Sequence, residues 1–351
     1  MSNLDTMDLT QYGKTRNFID GHVTRLSPYI SHGVVSTRKI YEHCVRKYSR
    51  REIHKYIQEL AWRDYWQRKW QAHDDLGAFS LPHYTNENHN MPKSVLEAKT
   101  GIEAIDKAIV QLYETGYMHN HVRMYVASIC CNIFNCHWRL PAKWLYYHLF
   151  DADWASNALS WQWVAGASRE KKYYANQDNI NTFCHTDQSD TFLDADYEDL
   201  PELSLSEKHL KFANLEFPQI LPMSTMRDLN SNQETLLYTW YNLDPHWLTE
   251  GSYNRVLILE PSFFQKYPVS ESNWSFFLKL ANNISGLTIY VGEFSDLLEQ
   301  HPSMHFQYKE HPTNNHFAGL THERDWMSPV EGDFKSFFAF WKKCNQYLRS
   351  E

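Results

Sequence analysis

Across residues 1–183, apolar and aromatic residues recur at helical spacing in one stretch after another, and no alternating strand pattern interrupts them. Ser36 is a helix-capping residue type placed just before one stretch, and Gly116 is placed to end another. We therefore predict that the first half of the chain is helical. The predicted helices run over residues 36–48, 52–73, 102–114 and 117–134, followed by a short helix that opens at Pro141.

The second half follows a different pattern. Two short apolar runs, residues 255–260 and 286–294, are typical of buried strands, and residues 274–283 between them are amphipathic and helical. This alternation predicts a small α/β unit, short for a complete Rossmann domain and without a glycine-rich phosphate loop. The predicted fold class is mainly α: a helical domain over 1–183, an acidic connector over 184–235 and a small α/β domain over 236–351.

The charge of the chain is unevenly distributed. Residues 1–183 carry 22 Lys and Arg against 18 Asp and Glu, a net charge of +4, whereas residues 184–351 carry 12 against 24, a net charge of -12. The acidic total of -8 argues mildly against a nucleic-acid partner. Because binding follows the local field, the basic first half weakens that objection.

The six cysteines have no CxxC pairing and no secreted-domain density, which indicates a reducing compartment. Cys130, Cys131 and Cys136 lie in an apolar helical stretch, so we interpret them as small buried side chains rather than metal or iron–sulfur ligands. The N-terminus lacks the basic and apolar regions of a signal peptide, and no run approaches the ~20 apolar residues of a membrane span. We expect a cytoplasmic protein with no membrane partner.

Aromatic residues make up 15% of the chain, with 13 Trp and 22 Tyr. Most aromatic side chains serve core packing, but this load also suits a site that stacks planar rings or passes electrons. Four segments combine aromatic residues with charged and polar ones. They are residues 24–29 (TRLSPY), 59–63 (ELAWR), 116–124 (GYMHNHVRM) and 151–163 (DADWASNALSWQW).

Each segment alone has an ordinary explanation as a helix cap or a local ion pair. Hydroxyls and a guanidinium beside a helix start, as in residues 24–27, can also hold a phosphate. A polar face inside an apolar helix indicates a buried polar partner, because unpaired buried groups are costly. Helical periodicity gives such a face at residues 120, 123 and 124. It also places residues 59, 62 and 63 on one face of another helix, which an amphipathic surface helix with a local ion pair would explain as well.

In this order and at this spacing, the four segments resemble the FAD-binding domain of the photolyase/cryptochrome family over roughly residues 10–182. The resemblance implies that the cofactor is FAD. Arg123 and Asp151 match an ion pair over the isoalloxazine ring, and Asn157 matches the residue that faces flavin N5, where an amide suits a reduced flavin. The implied FAD-binding residues are Tyr12, Thr24, Arg25, Leu26, Ser27, Tyr56, Arg63, Asn120, Arg123, Asp151, Asp153 and Asn157.

The resemblance also implies a pocket for a DNA lesion. A pyrimidine dimer flipped out of DNA needs flat aromatic walls, matched here by Trp62 and Trp163, and polar groups for its edges. His121 stands where these enzymes usually carry Arg, and a neutral His would weaken a lesion or phosphate contact. The implied substrate residues are Glu59, Trp62, Asn120, His121, Met124 and Trp163.

The family passes electrons to its flavin through three tryptophans. Trp161 and Trp138 match the first two. The third position aligns near Thr85, beside Tyr84, and is not Trp. A tyrosine end to this chain and another aromatic route both stay open.

The activity implied by the resemblance is light-driven repair by a photolyase-like lyase, with UV-damaged DNA, single- or double-stranded, as the partner. The alternative is a cryptochrome-like blue-light sensor that signals to a protein partner through its acidic C-terminal half. A flavin-binding scaffold without photochemistry is a third interpretation. Family members usually begin with an α/β antenna domain, whereas the resemblance starts here near residue 10, so we expect no antenna chromophore.

Overall fold

The computed structural model describes residues 8–81, 84–207 and 210–350. Helices dominate the chain up to residue 184, as the sequence predicts. They are α1 (Leu9–Thr15), α2 (Ser27–Ser31), α3 (Thr37–Lys47), α4 (Arg50–Ala72), α5 (Lys93–Leu96), α6 (Glu103–Thr115), α7 (Asn120–Ser128), α8 (Arg139–His148), α9 (Trp154–Val164) and α10 (Gln177–Cys184). A 3-10 turn forms at Leu76–Phe79, a π-helical turn at Ile129–Ile133 continues α7, and a further 3-10 turn follows at Leu200–Glu202.

The ends of the predicted helices follow from capping chemistry. The Ser36 side chain accepts a hydrogen bond from the Lys39 amide at the start of α3, and Gly116 ends α6 in the left-handed conformation with φ +63°. Helix α7 begins three residues later than predicted, because the His119 side chain caps it by accepting from the His121 amide. Pro141 lies in the first turn of α8 rather than at its first residue, where its missing N–H still costs no hydrogen bond.

One short strand corrects the prediction of a strand-free first half. Strand β1 (Met91–Pro92) pairs antiparallel with β2 (Phe212–Ala213), which lies in the predicted connector. The same connector also runs along the edge of the C-terminal sheet, where the Thr225 amide donates to the Ile289 carbonyl at 2.9 Å. The connector therefore wraps the protein and contacts both halves.

The C-terminal half contains a larger sheet than the two runs in the sequence predict. Five parallel strands lie in the order β5-β4-β3-β6-β7, so the chain winds outward in both directions from β3. The sequence does not predict β3, β6 and β7, because each is only three or four residues long and carries polar residues. The elements are β3 (Thr235–Tyr238), β4 (Asn254–Leu259), α11 (Pro261–Lys266), α12 (Glu271–Ala281), β5 (Leu287–Val291), α13 (Phe294–Gln300), β6 (Phe306–Lys309), β7 (Leu320–His322) and α14 (Phe337–Ser350).

The two halves are packed against each other through buried hydrogen bonds. The Asn273 amide of α12 donates to the Leu149 carbonyl at 2.7 Å, and the Leu243 amide donates to the His32 carbonyl at 2.8 Å. Gly33 has φ +67° and lies so close to the Tyr241 carbonyl that a Cβ atom would be 2.5 Å from it. Only glycine fits this contact without strain.

The last helix, α14, packs in the core of the helical half and not against the sheet. In α14, Phe337, Phe340 and Trp341 are buried in one cluster with Ile53 and Tyr65 of α4. The C-terminal residues thus cover one side of the long helix α4. No helix in the described ranges is long and apolar enough to cross a membrane.

A candidate cofactor and substrate cavity

A cavity of about 480 Å³ opens between α4, α7, α9 and the segment before α2. This volume lies within the range of about 300–1,000 Å³ that is usual for ligand sites. Most of the residues singled out from the sequence line it together. They are Tyr12, Thr24, Arg25, Leu26, Ser27, Tyr56, Glu59, Trp62, Arg63, Asn120, Arg123, Met124, Asp151, Asp153, Asn157, Trp161 and Trp163.

Helix α4 contributes one long face to the cavity. Tyr56, Glu59, Arg63 and Trp66 line it at spacings of three or four residues, which places them on one side of a straight helix. A capping box between Ser49 and the residue three positions later fixes where this helix begins. The register of the whole face follows from that start.

Two acidic residues, Asp151 and Asp153, lie at the start of α9 with one residue between them. Asp151 pairs with Arg123 across 2.9 Å, and the Asp151 side chain is only 9% exposed. Arg123 Nε also donates to the Met118 carbonyl, so the guanidinium is held at two points. Between the acids, Ala152 has φ +30°, a strained value for alanine that lets both flanking carboxylates lie at the cavity.

Asp153 has three hydrogen-bond donors around its carboxylate. Arg63 Nε lies 3.1 Å from Oδ2, and Gln67 Nε2 donates to Oδ1 at 2.9 Å. The Ser156 amide also donates to Oδ1, which makes Asp153 the N-cap of α9. Asp153 therefore both lines the cavity and sets the start of the helix that carries Asn157 and Trp161.

A basic corner forms where residues 24–27 meet α7. Arg25 has φ +53° and its guanidinium lies 4.7 Å from the centre of the Tyr117 ring. Thr24 and Ser27, which carry hydroxyl groups, line the cavity as well. Hydroxyls beside a fixed guanidinium suit an anionic group such as a phosphate.

Of the four tryptophans that line the cavity, Trp62 and Trp163 are each stacked on a residue that does not line it. Trp62 stacks on Phe337 of α14 at 3.7 Å between ring centroids and 10° between planes. Trp163 is covered by the Arg169 guanidinium at 3.5 Å from the ring centre. Since neither Phe337 nor Arg169 lines the cavity, each ring is braced by a residue outside the cavity lining.

Three more of the predicted substrate residues, Glu59, Asn120 and Met124, line the same cavity. The Glu59 carboxylate is held by Lys55 Nζ at 2.7 Å and by Arg16 Nε at 3.5 Å, so its position is fixed by two cations. Asn120 and Met124 lie one turn apart on α7 and both line the cavity. The predicted roles of these residues toward a substrate stay predictions.

Comparison with known proteins identifies this constellation. Residues 56–213 match the family described as the FAD binding domain of DNA photolyase. Residues 56–213, just under half of the chain, are therefore similar to the FAD-binding domain of the photolyase/cryptochrome family. The resemblance and the FAD cofactor implied by the sequence are thereby confirmed.

Relatives in this family include enzymes and cryptochromes. The chain is 32% identical over 178 residues to a deoxyribodipyrimidine photo-lyase of Agrobacterium fabrum, covering 46% of this chain and 36% of that one. It is 31% identical over 180 residues to a cryptochrome DASH of Danio rerio, covering 48% and 34%. The chain thus spans about a third of the length of the curated relatives it matches. Among solved structures, a bacterial class III photolyase from Agrobacterium tumefaciens is 27% identical, with a TM-score of 0.44 and coverage of 52% and 41%.

The cavity contains buried polar atoms that fit a ligand such as FAD. His119 Nε2 and Ser156 Oγ are buried, line the cavity and make no hydrogen bond within the described part of the chain. Leaving such groups unpaired costs free energy, and a ligand rich in oxygen atoms can pair with both. These two buried groups, together with Arg25 and Arg123, fit a cofactor that carries phosphate groups.

His119 is a functional candidate that the sequence prediction missed. Burial lowers its pKa to about 4, with the neighbouring His121, Arg123 and Arg25 adding to the effect, so the imidazole is neutral at pH 7. Its Nδ1 accepts from the His121 amide, which leaves the proton on Nε2 as a donor. The signal in the sequence was its position immediately before an apolar helix, where a side chain caps the helix start.

The Asn157 amide has a fixed orientation. Its Nδ2 donates to the Ala142 carbonyl at 2.7 Å, which leaves Oδ1 as the acceptor available at the cavity. An acceptor at this place agrees with the expectation that Asn157 receives a hydrogen bond from a protonated flavin nitrogen.

Two predicted site residues lie outside the cavity lining. His121 Nδ1 donates to the Asn17 carbonyl at 2.9 Å and its ring packs edge-on to Phe183, so it ties α7 to the N-terminal segment. Burial lowers the pKa of His121, so it carries no charge there at pH 7. Trp138 is 1% exposed and lies behind the cavity wall.

The surroundings of Trp138 bear on the predicted electron path. The Tyr84 hydroxyl accepts from the Trp138 amide at 3.2 Å, and His137 lies between the two rings, 5.5 Å from Tyr84 and 5.8 Å from Trp138. Trp161 lines the cavity and is 2% exposed. Tyr84 thus lies beside Trp138, and the tyrosine end of an electron path stays a prediction.

Proposed function

We propose that this protein is a light-dependent DNA repair flavoprotein that acts on a pyrimidine dimer flipped out of DNA. The observation that carries the proposal is the pair of braced indoles: Trp62 and Trp163 line the FAD cavity, each held from outside by Phe337 or Arg169. Rigid aromatic walls are what the rings of an extruded pyrimidine dimer need for stacking.

Held by the residues of this cavity, reduced FAD would supply the light-driven one-electron chemistry, with the electron lent to the dimer and returned after the ring has opened. Two carbon–carbon bonds of the cyclobutane ring break, and the reaction as a whole neither consumes nor releases electrons. The chain itself would bind and orient the cofactor and the dimer, and it would exclude water from the cavity. In this proposal, Trp62 and Trp163 stack on the dimer, while Asn120 and the fixed Glu59 carboxylate meet its polar edges.

The residues around the cofactor have separate tasks. Arg25, Thr24 and His119 hold phosphate oxygens, for which the neutral Nε2–H of His119 is a suitable donor. The Arg123–Asp151 pair positions a cation close to the ring system. Asn157 offers an acceptor whose direction is set by the Ala142 carbonyl. Relatives that carry the name deoxyribodipyrimidine photo-lyase support this proposal, and relatives named cryptochrome DASH leave the sensor alternative open.

The test is a repair assay with the chemically reduced holoprotein under exclusion of oxygen. An oligonucleotide with one thymine dimer is added, the sample is illuminated with blue light, and restored thymines are counted against a dark control. Light-dependent restoration is the expected result. Intact dimers in light, with FAD bound and photoactive, would contradict the proposal.

The alternative function is a blue-light sensor in which the C-terminal half responds to the flavin. The observation that favours it is the contact between residues 324–341 and the outer side of α4, directly behind the cavity. A sensor should expose or protect this segment on illumination. Limited proteolysis in dark and light tests it, and identical fragment patterns would remove this alternative.

A further inference from the structure

We infer that Arg324 and Gln67 are positioning residues of the flavin site, which hold the Asp153 carboxylate through a hydrogen-bond relay that starts in the α/β half. The inference rests on FAD binding in the cavity and not on light-driven repair. It assigns a task at the cofactor to a residue far outside the region that matches the family, since Arg324 lies beyond residue 213.

The relay has four links of ordinary hydrogen-bond length. Glu310, just after β6, receives Arg324 Nε at 3.0 Å and Nη2 at 3.3 Å. Arg324 Nη1 donates to Gln67 Oε1 at 2.8 Å, and Gln67 Nε2 donates to Asp153 Oδ1 at 2.9 Å. Arg63 closes the relay on the other carboxylate oxygen at 3.1 Å.

The central members of the relay are shielded from solvent. Gln67 is 0% exposed and Asp153 is 6% exposed. The Arg324 side chain is 15% exposed, and the Trp326 ring covers its guanidinium at 4.3 Å. In such surroundings, a wrongly oriented polar group is expensive, so the orientation of each member is well determined.

Arg324 decides which way the Gln67 amide faces. A guanidinium can only donate, so it binds the carbonyl oxygen of Gln67 and leaves the NH2 group for Asp153. Without Arg324, the buried Gln67 carbonyl oxygen loses its donor, and only the Asp153 carboxylate still orients the amide. The α/β half thus helps to hold a donor against Asp153.

The consequence reaches the cofactor through Asp153. Asp153 lines the cavity and caps α9, which carries Asn157 and Trp161. Donors on both of its oxygens reduce the negative field at the cavity and hold the helix start in place. If a donor is lost, FAD should bind more weakly, and the midpoint potential of bound flavin should fall, since added negative field disfavours the electron-rich reduced form.

The sharpest variant is Gln67→Glu, which keeps the shape of the side chain and its acceptor for Arg324. It replaces the donor toward Asp153 by a carboxyl that donates only while it is protonated. The FAD dissociation constant of this variant should therefore rise by about tenfold between pH 5 and pH 8 relative to wild type, because the introduced carboxyl becomes a like charge beside Asp153. The flavin midpoint potential should fall over the same pH range.

The control is Arg68→Met. Arg68 stacks on the other side of Trp326 at 3.8 Å and pairs with Glu331, but the structure gives it no hydrogen bond to Gln67 or Asp153. A purely structural effect of disturbing this region would appear in the control too, whereas the relay predicts a wild-type pH profile for it. A flat, wild-type profile in folded Gln67→Glu would overturn the inference.

A second pair of variants tests the same relay if Gln67→Glu does not fold. Arg324→Lys keeps a donor for Gln67 Oε1 and should hold FAD within about twofold of wild type, whereas Arg324→Met should weaken it about tenfold. Equal affinities for the two variants would contradict the relay. All measurements use the full chain in the dark without DNA, so a failed repair assay and a failed relay give separate results.

Discussion

The two sides of helix α4 differ in what they do and in where their partners lie in the chain. The inner side presents Tyr56, Glu59 and Arg63 to the cavity, where their neighbours come from the first half. The outer side presents Ile53 and Tyr65 to α14, which lies more than 260 positions further along. Chemistry on one side of the helix is therefore stabilised by packing on the other.

Trp62 belongs to both sides and joins them. It lines the cavity and stacks on Phe337 of α14. Gln67 does the same for polar contacts, since it meets Asp153 on the inner side and Arg324 on the outer one. The C-terminal residues Arg324 and Phe337 therefore support two residues of the helix that lines the candidate flavin cavity.

The largest effect on the inner side is expected from Asp151→Ala. The change strands Arg123, which is 20% exposed, beside the cofactor. Breaking such a pair typically costs about 3–5 kcal/mol, so FAD should be largely lost on purification. Flavin content by absorbance measures this, with exposed Asp178→Ala as a control that retains FAD. Full flavin content in Asp151→Ala would refute the role of the pair.

On the outer side, two adjacent phenylalanines give a matched comparison. Phe337 is 3% exposed and braces Trp62, whereas Phe338 is 68% exposed. Phe337→Ala should lower the free energy of unfolding by about 3–5 kcal/mol, and Phe338→Ala should change it by less than about 0.5 kcal/mol. Chemical denaturation followed by circular dichroism checks both values. Similar stabilities would mean that α14 does not support α4.

A smaller effect separates substrate binding from cofactor binding. Trp163→Ala should retain FAD but lose about 1–3 kcal/mol of affinity for an oligonucleotide with a thymine dimer, since one stacking wall is removed. Fluorescence anisotropy in the dark measures the affinity, and the undamaged oligonucleotide serves as the control. Unchanged dimer affinity would make Trp163 a packing residue.

The smallest expected effect is a dependence of stability on pH. Burial lowers the pKa of His148 and of His137 to about 4, whereas histidine in an unfolded chain titrates near ~6.5. Between these values the unfolded state binds more protons, so the free energy of unfolding should fall as the pH decreases from about 6.5 to about 4. His148→Leu should make this slope shallower, while the exposed His54→Leu should not. Equal slopes in all three proteins would contradict the assignment.

The sequence predicted the inner side of α4 well and the outer side poorly, for a physical reason. Residues such as Glu59, Arg63 and Asp151 lie in segments whose local spacing already places them on helix faces or at helix starts. The partners Arg324 and Phe337 lie in a loop and at a helix start that carry no local signal for contact with α4. Long-range packing of this kind is decided by tertiary structure, which periodicity does not report.

The fold showed the same division. Helices with caps, such as the one that ends at Gly116, were predicted within a few residues. Strands β3 and β6 were not predicted, because four residues are too few for a periodicity and the neighbouring strands create most of their stability. His119 was missed because a capping histidine looks like any other polar residue before a helix.

If one cavity holds both FAD and the flipped dimer, the flavin spectrum should respond to dimer binding, and this response is the most direct test. The holoprotein is titrated in the dark with an oligonucleotide that carries one thymine dimer, and the flavin absorption band is recorded together with binding by anisotropy. We predict a saturable change in the flavin band that follows the binding curve and is absent with the undamaged oligonucleotide. Tight binding of the dimer with an unchanged flavin spectrum would contradict the claim, since the lesion would then lie away from the cofactor.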